Sequence, residues 1–157
     1  MPLDKEFVHA VTNYAHEHDQ LVLIDEVQTG NGRTGSLYAY EQFGIEPDIV
    51  STAKGLAGGL PMGATLFNEK TQFVLTAGAH ATTFGGNPIC AAAGCTIIER
   101  LTPEFLATVK AKGDYVKHAL EGKTGVVGVS GMGLMIGIET TVDPKEVIAK
   151  CLEKGVV

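Results

Sequence analysis

Two residues of this sequence have the types and the surroundings that covalent and electrostatic chemistry requires. Lys54 follows the apolar run Ile49-Val50 and precedes a glycine-rich turn, so its small neighbours leave the amine open to a bulky group. Asp25 ends a second apolar run, Leu21–Ile24, which is typical of a strand buried on both faces of a parallel sheet. Ligands of such sheets bind at the carboxyl ends of the strands, which is where Asp25 lies.

A strand that ends in aspartate, followed by a lysine on a later strand-loop junction, is what pyridoxal 5′-phosphate (PLP) chemistry needs. The lysine forms a Schiff base, and the aspartate pairs with the protonated pyridine nitrogen and keeps the ring an electron sink. If Asp25 points at such a ring, Val27 points to the same side and could pack on it, while Gln28 could reach its hydroxyl. Taken alone, Lys54 is more commonly a solvated charge and Asp25 a turn residue.

A third candidate region is the loop 78–86, whose hydroxyl groups and glycine amides suit a phosphate. Thr82 and Thr83 carry two of these hydroxyl groups, although the residues alone favour a plain glycine-rich loop. Arg33 lies in the turn 31–35. It is interpreted either as an anion contact or, as is commoner, as a structural hydrogen bond that holds this turn.

The histidines and cysteines give no indication of a metal site. Three histidines of the predicted first helix are interpreted as solvated: His9, His16 and His18. Three cysteines lack metal-ligand spacing and are interpreted as buried free thiols of a reducing compartment: Cys90, Cys95 and Cys151. We therefore predict that the chain binds no metal.

Composition excludes several classes of function. The chain has 157 residues, of which 45% are hydrophobic and 19% charged, as expected for a globular protein. A net charge of −6 without any basic run argues against nucleic-acid binding. The sequence contains no apolar stretch long enough to cross a bilayer and no signal peptide at its start, so we predict a cytoplasmic protein that binds no membrane.

Hydrophobic periodicity and cap residues predict an α/β order of elements. The predicted helices are 4–18, 38–43, 87–101, 105–120 and 143–155, with a helical turn at 71–75. The predicted strands are 21–24, 49–51, 61–67, 126–129 and 134–138, with a further strand beginning at Val156-Val157. The helix that begins at Asn87-Pro88 is apolar nearly all round and is expected to be buried.

Four motifs in order resemble the class III PLP-dependent aminotransferases over essentially the whole chain. The motifs are Asp25-Glu26-Val27-Gln28-Thr29-Gly30, Gly32-Arg33-Thr34-Gly35, Ala53-Lys54-Gly55-Leu56-Ala57-Gly58-Gly59 and Thr82-Thr83-Phe84-Gly85-Gly86-Asn87-Pro88. The resemblance implies PLP as cofactor, with Lys54 as the Schiff-base residue and Asp25, Val27 and Gln28 around the ring. It also implies a homodimer with shared sites, in which Thr83 binds the phosphate of the partner subunit's PLP.

The resemblance is greatest to enzymes that transfer the amino group of N-acetylornithine to 2-oxoglutarate in arginine biosynthesis. Relatives that act on ornithine, succinylornithine or 4-aminobutyrate share the motifs and leave the amino donor open. A chain without catalytic activity that binds a partner or dimerises through its glycine-rich loops is the alternative. Absorbance of visible light by the lysine-bound cofactor separates the two.

The resemblance further implies the type I fold of PLP-dependent transferases. Residues 1–100 match the later part of the large PLP-binding domain, and residues 101–157 match the beginning of the small α/β domain. In the family, the main phosphate site and the group that covers the second ring face precede the position of Leu3. The arginine that binds the substrate α-carboxylate follows that of Val157. We therefore expect the chain to be part of a longer enzyme.

Overall fold

The computed structural model describes residues 2–157, which form four α-helices and five β-strands in two sheets. In chain order these are α1 (Lys5–Glu17), β1 (Leu23–Asp25), β2 (Ile49–Thr52), β3 (Ala64–Phe67), α2 (Pro88–Arg100), α3 (Pro103–Leu120), β4 (Val126–Met132), β5 (Met135–Thr140) and α4 (Pro144–Glu153). Two short 3-10 helices add Ala39–Gln42 and Lys54–Ala57. Within this range no helix combines the length and the apolar character that crossing a membrane requires.

The first sheet has the order β1-β2-β3, with β1 parallel and β3 antiparallel to the central β2. Asp25 at the end of β1 pairs with Ser51 of β2, so both strands end at the same edge. The prediction that β1 is buried on both faces is wrong, because Leu23 is 64% exposed and Asp25 is exposed. β1 is an edge strand in the described chain, and β2 is its only strand partner there.

One buried carboxylate connects all three strands of this sheet with α1. Asp48, only 3% exposed, precedes β2 and accepts a hydrogen bond of 2.8 Å from the backbone N–H of Val22. It also accepts one of 2.9 Å from Asn68 Nδ2, just after β3. His16 Nε2 on α1 lies 3.3 Å from the same carboxylate. His9 Nε2, also on α1, lies 2.8 Å from the carbonyl oxygen of Phe43. These two α1 histidines, predicted to be solvated, therefore also contact other residues of the chain.

Helix α2 packs on the 3-10 helix Lys54–Ala57. Its one buried residue is Gly94, and its apolar side chains are all partly or largely exposed, with Ile89 at 71%. The prediction that this helix is buried is therefore wrong for the described chain. The composition of α2 is that of a covered helix, but residues 2–157 supply a close partner for one face only.

The second sheet is the antiparallel hairpin β4-β5, in which Met132 pairs with Met135. Helix α3 packs against both strands. Residues 71–75 form hydrogen-bonded turns in place of the predicted helical turn, and Val156-Val157 form no strand. All three cysteines are free, but none is buried, since Cys95 is exposed and the other two are partly exposed. The domain boundary after residue 100 stays a prediction.

Candidate functional site

Lys54 has an unusual backbone conformation. It is the first residue of the 3-10 helix that follows β2, and its φ of +51° lies in the left-handed region. Non-glycine residues rarely adopt this region, and a bulky one there costs of order 1–3 kcal/mol. Such strain persists only where the surroundings determine the conformation, and it is concentrated at functional sites. The backbone thus singles out the same lysine as the sequence does.

Two buried residues and helix α2 hold the turn that carries Lys54. Leu56 and Ala57 are 3% and 2% exposed. A Cβ atom on Gly94 of α2 would lie 3.1 Å from Met62 Sδ and 3.6 Å from the carbonyl oxygen of Leu56. Glycine at this position therefore allows the helix to approach the turn closely. The side chain of Lys54 itself is exposed, so a fixed backbone carries an accessible amine.

The two carboxylate oxygens of Asp25 differ in their hydrogen-bond partners. Its Oδ1 accepts hydrogen bonds of 2.9 Å from the Val27 N–H and 3.3 Å from Ser51 Oγ. Oδ2 accepts no hydrogen bond from residues 2–157. The carboxylate is thus oriented by its own turn and by the neighbouring strand, and it keeps an acceptor for an external donor.

A cavity of about 260 Å³ at the carboxyl edge of the sheet brings Val27, Gln28 and Lys54 together. The tip of the β4-β5 hairpin completes its wall with Leu134 and Met135. Asp25 lines an adjacent cavity of about 460 Å³, which Met135 also borders. Four of the predicted site residues therefore lie at one edge of the sheet, with Asp25 on one cavity and the other three on a second, and Met135 lines both.

Thr82 and Thr83 do not take part in this arrangement. Both are exposed and line neither cavity. The chain itself therefore does not bring the 82–86 loop to its own Lys54.

Arg33 has separate roles for its backbone and its side chain. Its carbonyl oxygen accepts a 3.0 Å hydrogen bond from the Leu134 N–H, which joins the turn 31–35 to the hairpin tip. Its guanidinium is exposed and has no carboxylate within 4.0 Å among residues 2–157. The predicted structural hydrogen bond exists, but it comes from the backbone. Since Arg33 also lines the Lys54 cavity, the anion contact stays a hypothesis.

Glu26 is a residue beside the site that the sequence pattern does not indicate. It is almost fully buried, with 1% of its surface exposed. Its carboxylate accepts hydrogen bonds from Thr29 Oγ1 and, at 2.9 Å, from the Tyr40 N–H. These bonds fix the turn that carries Val27 and Gln28. Burial raises the pKa of nearby Tyr38, so its phenol stays neutral. Tyr40 lies 14 positions after Glu26, so the local sequence pattern does not reveal their hydrogen bond.

Asn31 is a second residue at this site that the sequence pattern does not indicate. Its Nδ2 donates to the carbonyl of Ala53, the residue before Lys54, at 2.9 Å. An asparagine beside a glycine indicates a turn, and this local signal hides the contact with a residue 22 positions away. Asn31 also lines the Lys54 cavity.

Known proteins resemble this chain in sequence. The family model "Aminotransferase class-III" matches residues 1–157. An acetylornithine aminotransferase of Haemophilus ducreyi is 46% identical over 156 residues, which is 98% of this chain and 40% of that protein. One of Aquifex aeolicus is 42% identical over 151 residues, 96% of this chain and 40% of that protein. The chain thus spans about 40% of the length of these relatives.

Solved structures share the fold. The N-acetylornithine aminotransferase of Stenotrophomonas maltophilia matches with a TM-score of 0.81 and 31% identity, over 100% of this chain and 43% of that one. The ornithine aminotransferase of Toxoplasma gondii matches with a TM-score of 0.87 and 27% identity, over 96% of this chain and 38% of that one. These matches confirm the predicted α/β fold class of PLP-dependent aminotransferases. With the family match over residues 1–157, they show that the chain belongs to the class-III aminotransferases, whose cofactor is PLP.

Proposed function

We propose that this chain forms part of an enzyme that transfers the amino group of N-acetylornithine to 2-oxoglutarate, giving N-acetylglutamate semialdehyde and glutamate. The observation that supports the chemistry most directly is Lys54, an exposed lysine with a strained backbone on one cavity with Val27 and Gln28. The choice of amino donor is supported by the names of the relatives, which are acetylornithine aminotransferases at 40–46% identity. In this proposal the reaction belongs to arginine biosynthesis.

The residues at the sheet edge fit PLP in chemical type. Asp25 Oδ2 is an available acceptor for a pyridinium N–H, Val27 is an apolar contact for a ring face, and Gln28 carries an amide that can donate to a ring hydroxyl. Lys54 supplies the primary amine for covalent attachment. When bound, PLP supplies an electron sink for the substrate carbon that loses a proton.

Asp25 and Lys54 have different tasks in this mechanism. The Asp25 carboxylate, held through Oδ1, would keep a proton on the ring nitrogen of bound PLP. Lys54 would hold the cofactor and, as a free amine during turnover, would take the proton from the substrate carbon and return it. The tight 3-10 turn and α2 fix the Lys54 backbone, so this amine stays close to where that proton leaves.

The finer features of the assembly belong to this proposal. Thr83, with Thr82 beside it, serves the phosphate of PLP in the partner subunit of a homodimer. Both threonines lie in an exposed loop that does not line the Lys54 cavity of its own subunit, and this supports the arrangement.

A second candidate function concerns the amino donor. Several solved structures with this fold are ornithine aminotransferases, and their TM-scores of 0.81 to 0.87 are equal to or higher than the 0.81 of the N-acetylornithine enzyme. Ornithine differs from N-acetylornithine by a free, charged amino group. A comparison of kcat/KM for the two donors separates the proposals. A preference for ornithine by the product of the complete gene would overturn the assignment of N-acetylornithine.

Covalent trapping tests the central assignment. The product of the complete gene is incubated with PLP, reduced with borohydride and digested for peptide mapping. We expect a pyridoxyl group on Lys54 and visible absorbance that Lys54→Arg abolishes. Lys70→Arg is the matched control, because Lys70 is an exposed lysine whose amine pairs with Asp19 on another face. A label on any other lysine would contradict the role of Lys54, and no label at all would favour the non-catalytic alternative.

A further inference from the structure

We propose that Asn31 is a positioning residue that fixes the peptide before Lys54 and so sets the direction of the Lys54 amine. The inference rests on the proposed function of Lys54 and adds a residue to that site. Asn31 lies in the turn after β1 and belongs to none of the groups expected to contact the cofactor.

The hydrogen bonds of Asn31 converge on the end of β2. Its Nδ2 donates to the Ala53 carbonyl at 2.9 Å and to Thr52 Oγ1 at 3.0 Å. A carbonyl oxygen can only accept, so the amide nitrogen must be the atom that faces it. The same carbonyl accepts the 3.1 Å hydrogen bond from the Leu56 N–H that closes the Lys54 turn. Both donors therefore hold the one peptide unit from which the Lys54 side chain starts.

Asn31 and Lys54, on the two sides of this contact, both have a left-handed backbone conformation. Among the described residues, three that are not glycine have positive φ, and two of them are Asn31, at +54°, and Lys54, at +51°. Asparagine tolerates the left-handed region, whereas lysine has no such preference. A Cβ atom added to Gly55 would lie 3.6 Å from Asn31 Cβ, so the two turns lie close to each other. Asn31 thus provides the contacts that hold Lys54 in its unfavourable conformation.

A cost to stability accompanies these contacts. Asn31 Oδ1 is buried and has no hydrogen-bond partner among residues 2–157. A buried acceptor without a partner lowers stability, and such groups in native proteins call for a functional explanation. Removal of the amide removes both the two hydrogen bonds and this unsatisfied oxygen. Loss of Asn31 should therefore affect Lys54 more than it affects the fold.

The variant Asn31→Gly tests this separation in the product of the complete gene, because glycine allows the left-handed backbone and removes the side chain with its amide. We expect little change in the thermal unfolding midpoint but a fall of about tenfold in the rate of PLP attachment and in kcat, with KM for 2-oxoglutarate unchanged. Peptide maps after borohydride should show label spreading from Lys54 to surface lysines. The matched control is Asp19→Gly, another left-handed residue on a different face, which should retain wild-type rates and labelling.

The variant Asn31→Asp gives a second, pH-dependent test. It keeps the size and the tolerance for positive φ, but an ionised carboxylate faces the Ala53 carbonyl without a proton to donate. Protonation of the acid restores a donor. We therefore expect the ratio of variant to wild-type attachment rate to rise as pH falls. A ratio that is independent of pH, or wild-type rates in both variants, overturns the proposal.

A readout without cofactor separates this inference from the proposed function. The ¹³C chemical shifts of Lys54 Cα and Cβ depend on its φ and ψ angles, and Asn31→Gly should move them toward values of negative φ. If wild-type protein does not attach PLP at Lys54, the proposed function fails, and these shifts still decide whether Asn31 fixes the Lys54 backbone. Unchanged shifts in Asn31→Gly would show that it does not.

Discussion

The carboxylate of Asp25 offers a test at the scale of one residue, because its two oxygens have different surroundings. Oδ1 is held by the Val27 N–H and Ser51 Oγ, whereas Oδ2 accepts nothing from residues 2–157. Asp25→Asn keeps an acceptor at Oδ1 and removes the negative charge that a pyridinium nitrogen needs. In the product of the complete gene we expect PLP still to bind and transamination to fall roughly 100-fold. Stopped-flow half-reactions measure this loss. A variant with near wild-type rates would refute the role of Asp25.

Asp48 predicts how stability depends on pH. Burial raises the pKa of its carboxyl, but hydrogen bonds from the Val22 N–H, Asn68 and His16 outweigh burial, so the pKa lies below its ordinary value of 3.8. Because the pKa is lower in the folded state than in the unfolded state, the stabilisation is complete above the unfolded value and is lost as pH falls through the folded value. The free energy of unfolding should therefore decrease from about pH 4 downward.

Urea unfolding between neutral and acid pH measures this dependence. Asp48→Asn should be less stable at neutral pH by about 1–3 kcal/mol and should show a flatter acid limb. Asp114→Asn is the control. The pKa of Asp114 is lowered by its hydrogen bond and ion pair with Lys117, but its carboxylate is 59% exposed, and removing an exposed ion pair changes stability little. An acid limb in Asp48→Asn as steep as in the wild type would contradict the assignment.

The individual residues also show what the sequence can predict about the site. The sequence indicates Lys54, Asp25, Val27 and Gln28 as candidates because each lies at or just after a strand end, where local pattern and chemical type coincide. Asn31 gives no such signal, because its contact with Ala53 joins it to a different strand end. Local patterns indicate which residues have reactive groups, and tertiary contacts decide which residues orient them.

At the scale of elements, the packing of Gly113 in α3 predicts a loss of stability for Gly113→Ala, whereas helix propensity predicts a gain. Propensity alone gives Gly113→Ala a gain of about 1 kcal/mol. In the structure, however, a Cβ atom at Gly113 would lie 2.0 Å from the Gly133 carbonyl oxygen, and backbone cannot move aside cheaply. We expect Gly113→Ala to lose about 1–3 kcal/mol. Because the displaced hairpin tip carries Leu134, PLP should also bind more weakly.

Chemical unfolding and a PLP titration measure the two effects of Gly113→Ala. Ala111→Gly in the same helix is the control, since Ala111 is exposed and should show only the propensity loss of about 1 kcal/mol with unchanged PLP affinity. A gain in stability from Gly113→Ala would show that the hairpin does not pack against α3 at this glycine.

Helix starts were predictable because the caps are local. Side chains of four N-cap residues accept hydrogen bonds from the first turns of their helices: Asp4, Asn87, Thr102 and Asp143. Burial was less predictable, as the exposed faces of α2 and β1 show. An apolar pattern indicates that a surface is suited to being covered, but it does not identify the element that covers it.

At the scale of the whole molecule, the loop that follows β3 carries strongly exposed apolar side chains. Phe73 is 81% exposed and Phe84 82%, and Ile89 at the start of α2 is 71% exposed. Large exposed apolar side chains are suited to being covered. Because the loop that carries Thr83 does not line its own Lys54 cavity, a partner subunit is the occupant that we test.

A mixing experiment tests this shared site in the product of the complete gene. Two inactive variants are prepared: Lys54→Ala, which lacks the reactive amine, and Thr83→Trp, which places a bulky ring where a phosphate would bind. In a dimer with shared sites, each site combines Lys54 of one subunit with Thr83 of the other. A hybrid of the two variants then carries both lesions at one site and leaves the second site intact. We expect activity to reappear on mixing, with up to one working site per hybrid dimer. Native mass spectrometry confirms that subunits have exchanged. Exchange without any return of activity would mean that Thr83 acts within its own subunit, or that the two residues do not serve a common site.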